Sequence, residues 1–546
     1  MARNILIFSD GTGQVGGYAF DEDRTNVYKL YRATRVCPDS CIDPKEQAAF
    51  YDPGLGSRGE GGFLVGRIAQ WVYKAASQAT GLGITQNIID CYAAIIRLAN
   101  PEDRIFFFGF SRGAYTVRCV AAVLALCGIP TRNLNGSELP LDEAGSKKLA
   151  TYAVKHVYQF TSSRKERDAT PRQRFLLQTR ERLAIRFRMD CAAYDPQHPI
   201  HPNNYPYSVG VFDTVAALGS IAQSVKFIAI YAAVAAVAAW LISLLPNVPV
   251  IGPYLEFLEF RWVYLALVAV PAMTALAIYI WTHTKFDLNV PGYSPEELRQ
   301  TFHFTTEWKH TFYDTDLNIN IPYAKHAISI DENRADFARV RWGVPDGRPS
   351  RDAAGNLTFE QVWFAGNHTD IGGGYKENEA RLSDTALKWM LACAYTIPNG
   401  IKYDRSVMRL HPNAAGIQHD EVKSGFGTIA NFFGITWTPG KRDLPKIPGT
   451  ETSKATMHRS VYERFDMDAA PDYDAMRLYR PLTLEIHLDF KDAYGKAGAK
   501  SNSDRPEAAA YIEDRLPPNV LQTETEGPIS YVPILLQKSV ASFFGR

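Results

Sequence analysis

The chain has 546 residues, past the size at which one hydrophobic core stops growing, so its length calls for one large domain with insertions or for two to three domains. Its 59 basic residues stand against 58 acidic ones, a formal charge of +1, which excludes the electrostatic footprint of a nucleic-acid binder. The seven cysteines (Cys37, Cys41, Cys91, Cys119, Cys127, Cys191 and Cys393) are odd in number and mostly lie in apolar runs, as reduced structural thiols do; Cys37 and Cys41 form one close pair without the second pair or histidines that a zinc set needs.

In chain order, the N-terminal run Ile5-Leu6-Ile7-Phe8 is too short for a signal peptide, so synthesis as a cytoplasmic product is expected. Residues 4–9 form a short buried strand that breaks into Asp10-Gly11-Thr12-Gly13, the kind of turn that carries ligand loops at strand ends. Residues 48–51 give a second strand, and residues 84–98 repeat their apolar positions at helical spacing until Asn100-Pro101. The run Arg104-Ile105-Phe106-Phe107-Phe108 is continuously apolar, as a strand buried on both faces would be, and residues 114–126 return to helical period before Gly128-Ile129-Pro130. Two more buried strands are expected at 207–212 and 359–365, each ending in a polar residue. Between them, residues 321–342 have helix-compatible spacing with many charges, and residues 383–394 form an amphipathic helix. Beyond residue 399 the chain turns polar and rich in Pro and Gly, with loops or linkers at 436–450 and 495–506, and residues 529–544 read as a packed terminal helix. Alternating strands and helices place the chain in the α/β class.

Residues 227–245 and 263–281 interrupt this order with two uncharged apolar stretches of 19 residues, separated by a loop containing Pro246, Pro249 and Gly252-Pro253. At about 1.5 Å per residue each would reach about 28 Å, close to the hydrocarbon thickness of about 30 Å, so a transmembrane hairpin is expected. The competing readings are a pair of buried core helices and an apolar lid. Lys226 and Lys285 on the domain side against Arg261 on the loop side favour a cytoplasmic catalytic domain by a narrow count.

Gly109-Phe110-Ser111-Arg112-Gly113 is the G-x-S-x-G pattern of a nucleophile elbow, in which glycines at both flanks make room for a strand-to-helix turn that presents the serine. The pentapeptide is short enough to occur by chance; following an apolar strand and opening an apolar helix is the context that gives it meaning. It points to an α/β-hydrolase-like fold, a mostly parallel sheet flanked by helices. Serine needs a histidine to take its proton and a carboxylate to hold that histidine, and in this class the order is Ser, Asp, His. His368, on the glycine-rich loop after the 359–365 strand, is the expected base, ahead of His326. Asp213, directly after the 207–212 strand, is the expected acid, ahead of Asp316, Asp331 and Asp370. The oxyanion would be held by the backbone amides of Arg112 and Gly11. No metal or organic cofactor is required.

These pieces resemble the α/β-hydrolase-like family that includes the phospholipase effectors of bacterial type VI secretion. The matching residues are Ser9-Asp10-Gly11-Thr12-Gly13, Gly109 to Ala114, Phe212-Asp213-Thr214-Val215, His326-Ala327 with Asp331-Glu332 and Arg334, and His368-Thr369-Asp370-Ile371-Gly372-Gly373-Gly374-Tyr375. The resemblance covers residues 4–395 apart from the apolar insertion, and implies Ser111, Asp213 and His368 as the catalytic set. It also implies cleavage of acyl esters of membrane glycerophospholipids, and, for an effector, secretion-apparatus and immunity proteins as partners and delivery to the periplasm of a target cell. The expected organisation is a catalytic core in two parts, 1–220 and 286–398, a hairpin at 221–285 and an accessory region at 399–546. The rival readings are a soluble carboxylesterase with an apolar lid and a catalytically dead, membrane-anchored binding module.

Overall fold

The computed structural model describes residues 2–11, 23–38, 40–54, 82–162, 169–215, 231–232, 235–245, 259–304, 316–343, 347–424, 437–496 and 498–502. Six strands, β1 (Asn4–Ser9), β2 (Gln47–Asp52), β3 (Arg104–Phe110), β4 (Pro206–Phe212), β5 (Tyr323–Ser329) and β6 (Phe359–Phe364), form one sheet in the order β2-β1-β3-β4-β5-β6, with every pair parallel. The continuous apolar runs follow from that arrangement. In β1, Ile5 and Ile7 face one core and Leu6 and Phe8 the other; in β3, Ile105 and Phe107 oppose Phe106 and Phe108. A strand covered on both faces has no side left for polar residues.

Helix α1 (Asn26–Thr34) and helix α2 (Leu82–Leu98) lie on opposite faces, α2 together with α3 (Arg112–Cys127) and α4 (Pro171–Asp190). The α1 face is completed by a long helix at Arg381–Thr396, whose Leu387, Trp389 and Met390 are buried. Because β1 and β3 are neighbours while β2 lies outside β1, the chain reverses its direction of travel across the sheet at β1 and β3. Their carboxyl ends border the crevice where ligands bind in open parallel sheets. Asp10-Gly11 and Ser111 occupy those ends.

The 321–342 expectation of a helix is overturned. Its buried part is strand β5, all seven residues of which are buried, followed by an irregular stretch with one tight turn at Ala335–Phe337. Its charged Lys325 is satisfied inside: it pairs with Glu360 on the adjacent strand and donates to the Leu357 carbonyl. A third apolar cluster joins Ile328, Ile330 and Trp363 to Leu444, Met457, Val461, Phe465 and Phe490, so the polar region after residue 399 packs against the β5–β6 edge. Trp363 is pinned on both sides, its N–H donating to the Thr456 carbonyl and its carbonyl accepting from His458.

In the apolar insertion, helix α5 (Phe260–His283) carries Pro271 in its interior and leaves Trp262, Met273 and Trp281 exposed. Its Phe260–Ile278 stretch is long and apolar enough to cross a membrane, and none of it is buried. Of the first apolar segment, residues 235–242 are helical, and the Tyr231 hydroxyl donates to the Leu267 carbonyl of α5 at 2.6 Å. The terminal helix expected at 529–544 lies outside the described residues.

Candidate active site

Ser111 follows β3 and caps α3 with φ 58° and ψ −122°, a left-handed conformation that costs a non-glycine residue about 1–3 kcal/mol and persists only where its surroundings impose it. The Ser111 N–H donates to the Phe212 carbonyl of β4 at 3.1 Å, extending the sheet ladder into the turn. The flanking glycines have a steric reason. A Cβ on Gly109 would stand 2.5 Å from the Gly113 carbonyl oxygen, and one on Gly113 would run into the Ser9 carbonyl. Gly113→Ala is therefore expected to destabilise the protein by about 3 kcal/mol, at the upper end for overpacking because the obstacle is backbone, read as a lower urea midpoint with activity lost in parallel.

Asp213 follows β4, also with positive φ (34°), and its N–H donates to the Ala327 carbonyl of β5 at 2.7 Å. The carboxylate is fully buried. Its Oδ1 accepts the Ser329 amide at 3.1 Å; its Oδ2 accepts both His368 Nδ1–H at 2.6 Å and Arg442 Nη2–H at 2.6 Å. Burial pushes this carboxyl up, but the Arg442 guanidinium, the His368 hydrogen bond and the Ser329 amide together outweigh it and hold it well below the usual carboxylate range.

His368 opens the short helix α6 (His368–Gly372), capped by Asn367, whose side chain accepts the Asp370 amide while Asp370 accepts the Asn367 amide. Its N–H donates to Glu332 Oε2 at 3.1 Å, and Glu332 is held in turn by the Arg334 fork at 2.7 and 2.9 Å. The imidazole packs against Phe110, the residue before Ser111, with ring centroids 4.6 Å apart, and edge-on to Phe337 at 5.1 Å. With Nδ1–H given to Asp213, Nε2 carries the lone pair; it is buried and has no hydrogen-bond partner among the described residues. Burial pulls the imidazole below its ordinary range, with Asp213 opposing.

The rivals are engaged elsewhere. His326, on β5 and not on a helix, accepts the Thr214 amide through Nε2 at 3.2 Å and is buried on the α2–α3 side near Trp342. Asp331 accepts the Gly366 amide and the Tyr479 hydroxyl, Asp370 holds His419 at 2.7 Å, and Asp316 lies in a bridge to Gly343. At the expected oxyanion donors, a Cβ on Gly11 would lie 3.6 Å from Ser111 Cβ, so this loop borders the serine. The Gly11 N–H, however, donates to Asp10 Oδ1 at 2.7 Å, while Asp10 Oδ2 is taken by Thr25 and Tyr51. The Arg112 amide belongs to the first turn of α3, whose N–H groups have no intrahelical acceptor. Arg442 was missed by sequence reasoning, and no local pattern marks it. Glu332 and Arg334 were seen as part of a motif without a role.

A family described as "T6SS, Phospholipase effector Tle1-like, catalytic domain" matches residues 3–243 and 286–393. An uncharacterized protein of Saccharomyces cerevisiae is 28% identical over 135 residues, which are 24% of this chain and 19% of that protein. Two solved structures are similar at low superposition. The crystal structure of an uncharacterized protein from Pseudomonas aeruginosa has 15% identity and a TM-score of 0.29, covering 74% of this chain and 46% of that one. The Tle1 effector bound to the VgrG spike from the type 6 secretion system has 13% identity and a TM-score of 0.25, covering 70% and 53%. The chain thus spans about a fifth of the yeast relative and about half of each solved chain. The family match covers more than half of the sequence and takes in the elbow, Asp213 and His368 while omitting helix α5, and on that extent the chain belongs to the Tle1-like family of type VI secretion phospholipase effectors.

Proposed function

We propose that this protein hydrolyses acyl esters of membrane glycerophospholipids through a covalent acyl-enzyme on Ser111. The observation that carries the reading is the Asp213–His368 pair: a buried carboxylate at 2.6 Å fixes the Nδ1–H tautomer and leaves Nε2 as an acceptor beside the elbow. His368 takes the proton of Ser111 as its oxygen attacks the ester carbonyl. The imidazolium then protonates the leaving alcohol, and water, deprotonated by the same imidazole, releases the fatty acid. The Arg112 amide is the first oxyanion donor. Gly11 becomes the second when the developing oxyanion replaces Asp10 Oδ1 as acceptor.

Preference for a phospholipid is supported by the Arg112 side chain, whose guanidinium has no ion-pair partner among the described residues and is suited to a lipid phosphate near the serine. Helix α5, apolar and exposed, is suited to lipid, and with residues 227–245 it would anchor the elbow at a bilayer surface. Membership of the effector family supports delivery into a target cell, with a secretion spike as carrier and an immunity protein as antagonist.

The expected kinetics follow from His368. Only neutral imidazole accepts the serine proton, and burial holds its proton affinity below the ordinary range, so kcat/KM on a short ester should rise through an acid limb below the usual histidine value and stay flat above it. The experiment that tests the lipid reading is fatty acid release from mixed phospholipid vesicles by the full chain and by a variant lacking residues 227–281. The full chain is expected to release fatty acid, and the deletion to keep soluble-ester turnover while losing at least about tenfold on vesicles. Equal rates on vesicles would remove the membrane role, and soluble-ester turnover alone by the full chain would favour the lid-bearing esterase.

A further inference from the structure

Arg442 lies beyond residue 393, where the family match ends, yet its side chain is 4% exposed and reaches the carboxylate oxygen that also receives His368. The segment that brings it there is tied down. The Gly440 N–H donates to the Asn333 carbonyl at 2.7 Å, Ala335 N–H to Thr438 at 2.9 Å, and the Thr483 hydroxyl to the Arg442 carbonyl at 3.3 Å. Trp437 stacks edge-on to Phe337 with centroids 5.5 Å apart, and Phe337 in turn abuts His368. Residues 437–442 therefore form a strap laid along 333–337, with a guanidinium at its end.

A buried carboxylate facing only a neutral imidazole would be poorly compensated, and its uncancelled charge would raise the proton affinity of that imidazole. Among the described residues, the other charged or titratable groups around the pair are Arg339 and His326 toward Asp213, and Glu332 and Arg334 toward His368; Glu332 and Arg334 cancel each other by direct contact. Among the described residues of the C-terminal region, Arg442 alone touches Asp213. We propose that Arg442 is a positioning residue for the hydrolysis: the strap delivers its charge to Asp213, fixing the carboxylate toward His368 and keeping the imidazole neutral, so that the working catalytic unit includes the C-terminal segment. This rests on the serine hydrolase reading above.

The test uses the full chain on a short soluble ester. Arg442→Gln is expected to lower kcat by about 10- to 100-fold, the range of a charged buried hydrogen bond, with KM unchanged. Its acid limb should move up by about one pH unit, because Asp213 is no longer counterweighted. Arg442→Lys should return the limb to the parent position. In an Asp213→Asn background, where the charge to be balanced is gone, Arg442→Gln should change kcat by less than about threefold. That pair also carries the test if Arg442→Gln alone does not fold. A folded Arg442→Gln enzyme with parental kcat and acid limb, or an equal loss in both backgrounds, would overturn the proposal. A parent chain that turns over no ester would instead remove the hydrolase reading itself.

Discussion

Ser111→Ala should lower ester hydrolysis by at least about 10⁴-fold, close to 5.5 kcal/mol of transition-state stabilisation, while leaving the folded protein intact. The substitution removes one oxygen from a residue that is 7% exposed and makes no side-chain cap hydrogen bond to α3. Among the described residues no hydrogen-bonding partner is left unpaired. The backbone at 111 is already in a costly conformation, held by the sheet ladder to Phe212, the strand–helix junction and the glycines on either side, and alanine inherits it unchanged. Activity should therefore vanish at an unchanged urea midpoint, and unimpaired turnover would place the nucleophile elsewhere.

Asp213→Asn is expected to cost in both currencies that the serine variant separates: kcat by about 10⁴-fold and stability by about 3–5 kcal/mol. An amide offers one oxygen and one NH₂ where the carboxylate offered two acceptors. If the oxygen takes the place of Oδ2 it keeps both Arg442 and His368, and the NH₂ then faces the Ser329 N–H, donor against donor. If it is turned round, the NH₂ meets Arg442 donor against donor and faces His368 Nδ1, which forces the Nε2–H tautomer and leaves no lone pair for the serine proton. The pH dependence has a definite sign. The folded carboxyl is held below its unfolded value, so its contribution is complete above the unfolded carboxylate range near pH 3.9 and is lost as pH falls toward the folded value. The difference in urea midpoint between parent and variant should be constant around neutrality and close only in strong acid.

Much of this site was legible because its residues sit where the sequence pattern changes. Phe108 to Arg112 passes from a both-faces-buried strand to a helix within a few residues, and Phe212-Asp213 ends another such strand, so the polar residue at each break had one place to be: the carboxyl edge of the sheet. Helices α2 and α3 followed from apolar spacing for the same reason. Strand β5 was not legible because its polar residues, Lys325 and His326, are satisfied by partners distant in sequence, Glu360 and the Thr214 amide, and local patterning reads such residues as solvent-facing. Arg442 was invisible on the same principle: it lies in an irregular stretch, and its partner is 229 residues away. The Gly11 loop was found from its turn composition, but that its amide is occupied by the neighbouring Asp10 side chain is a matter of rotamer, which composition does not record.

The most direct test of a covalent serine mechanism is to treat the full chain with a fluorophosphonate and locate the adduct by peptide mass spectrometry, beside His368→Ala. Stoichiometric modification of Ser111 in the parent, with labelling slowed by at least about 100-fold in the histidine variant, is the predicted result. A folded parent that stays unlabelled, or an adduct mapped to another residue, would contradict it.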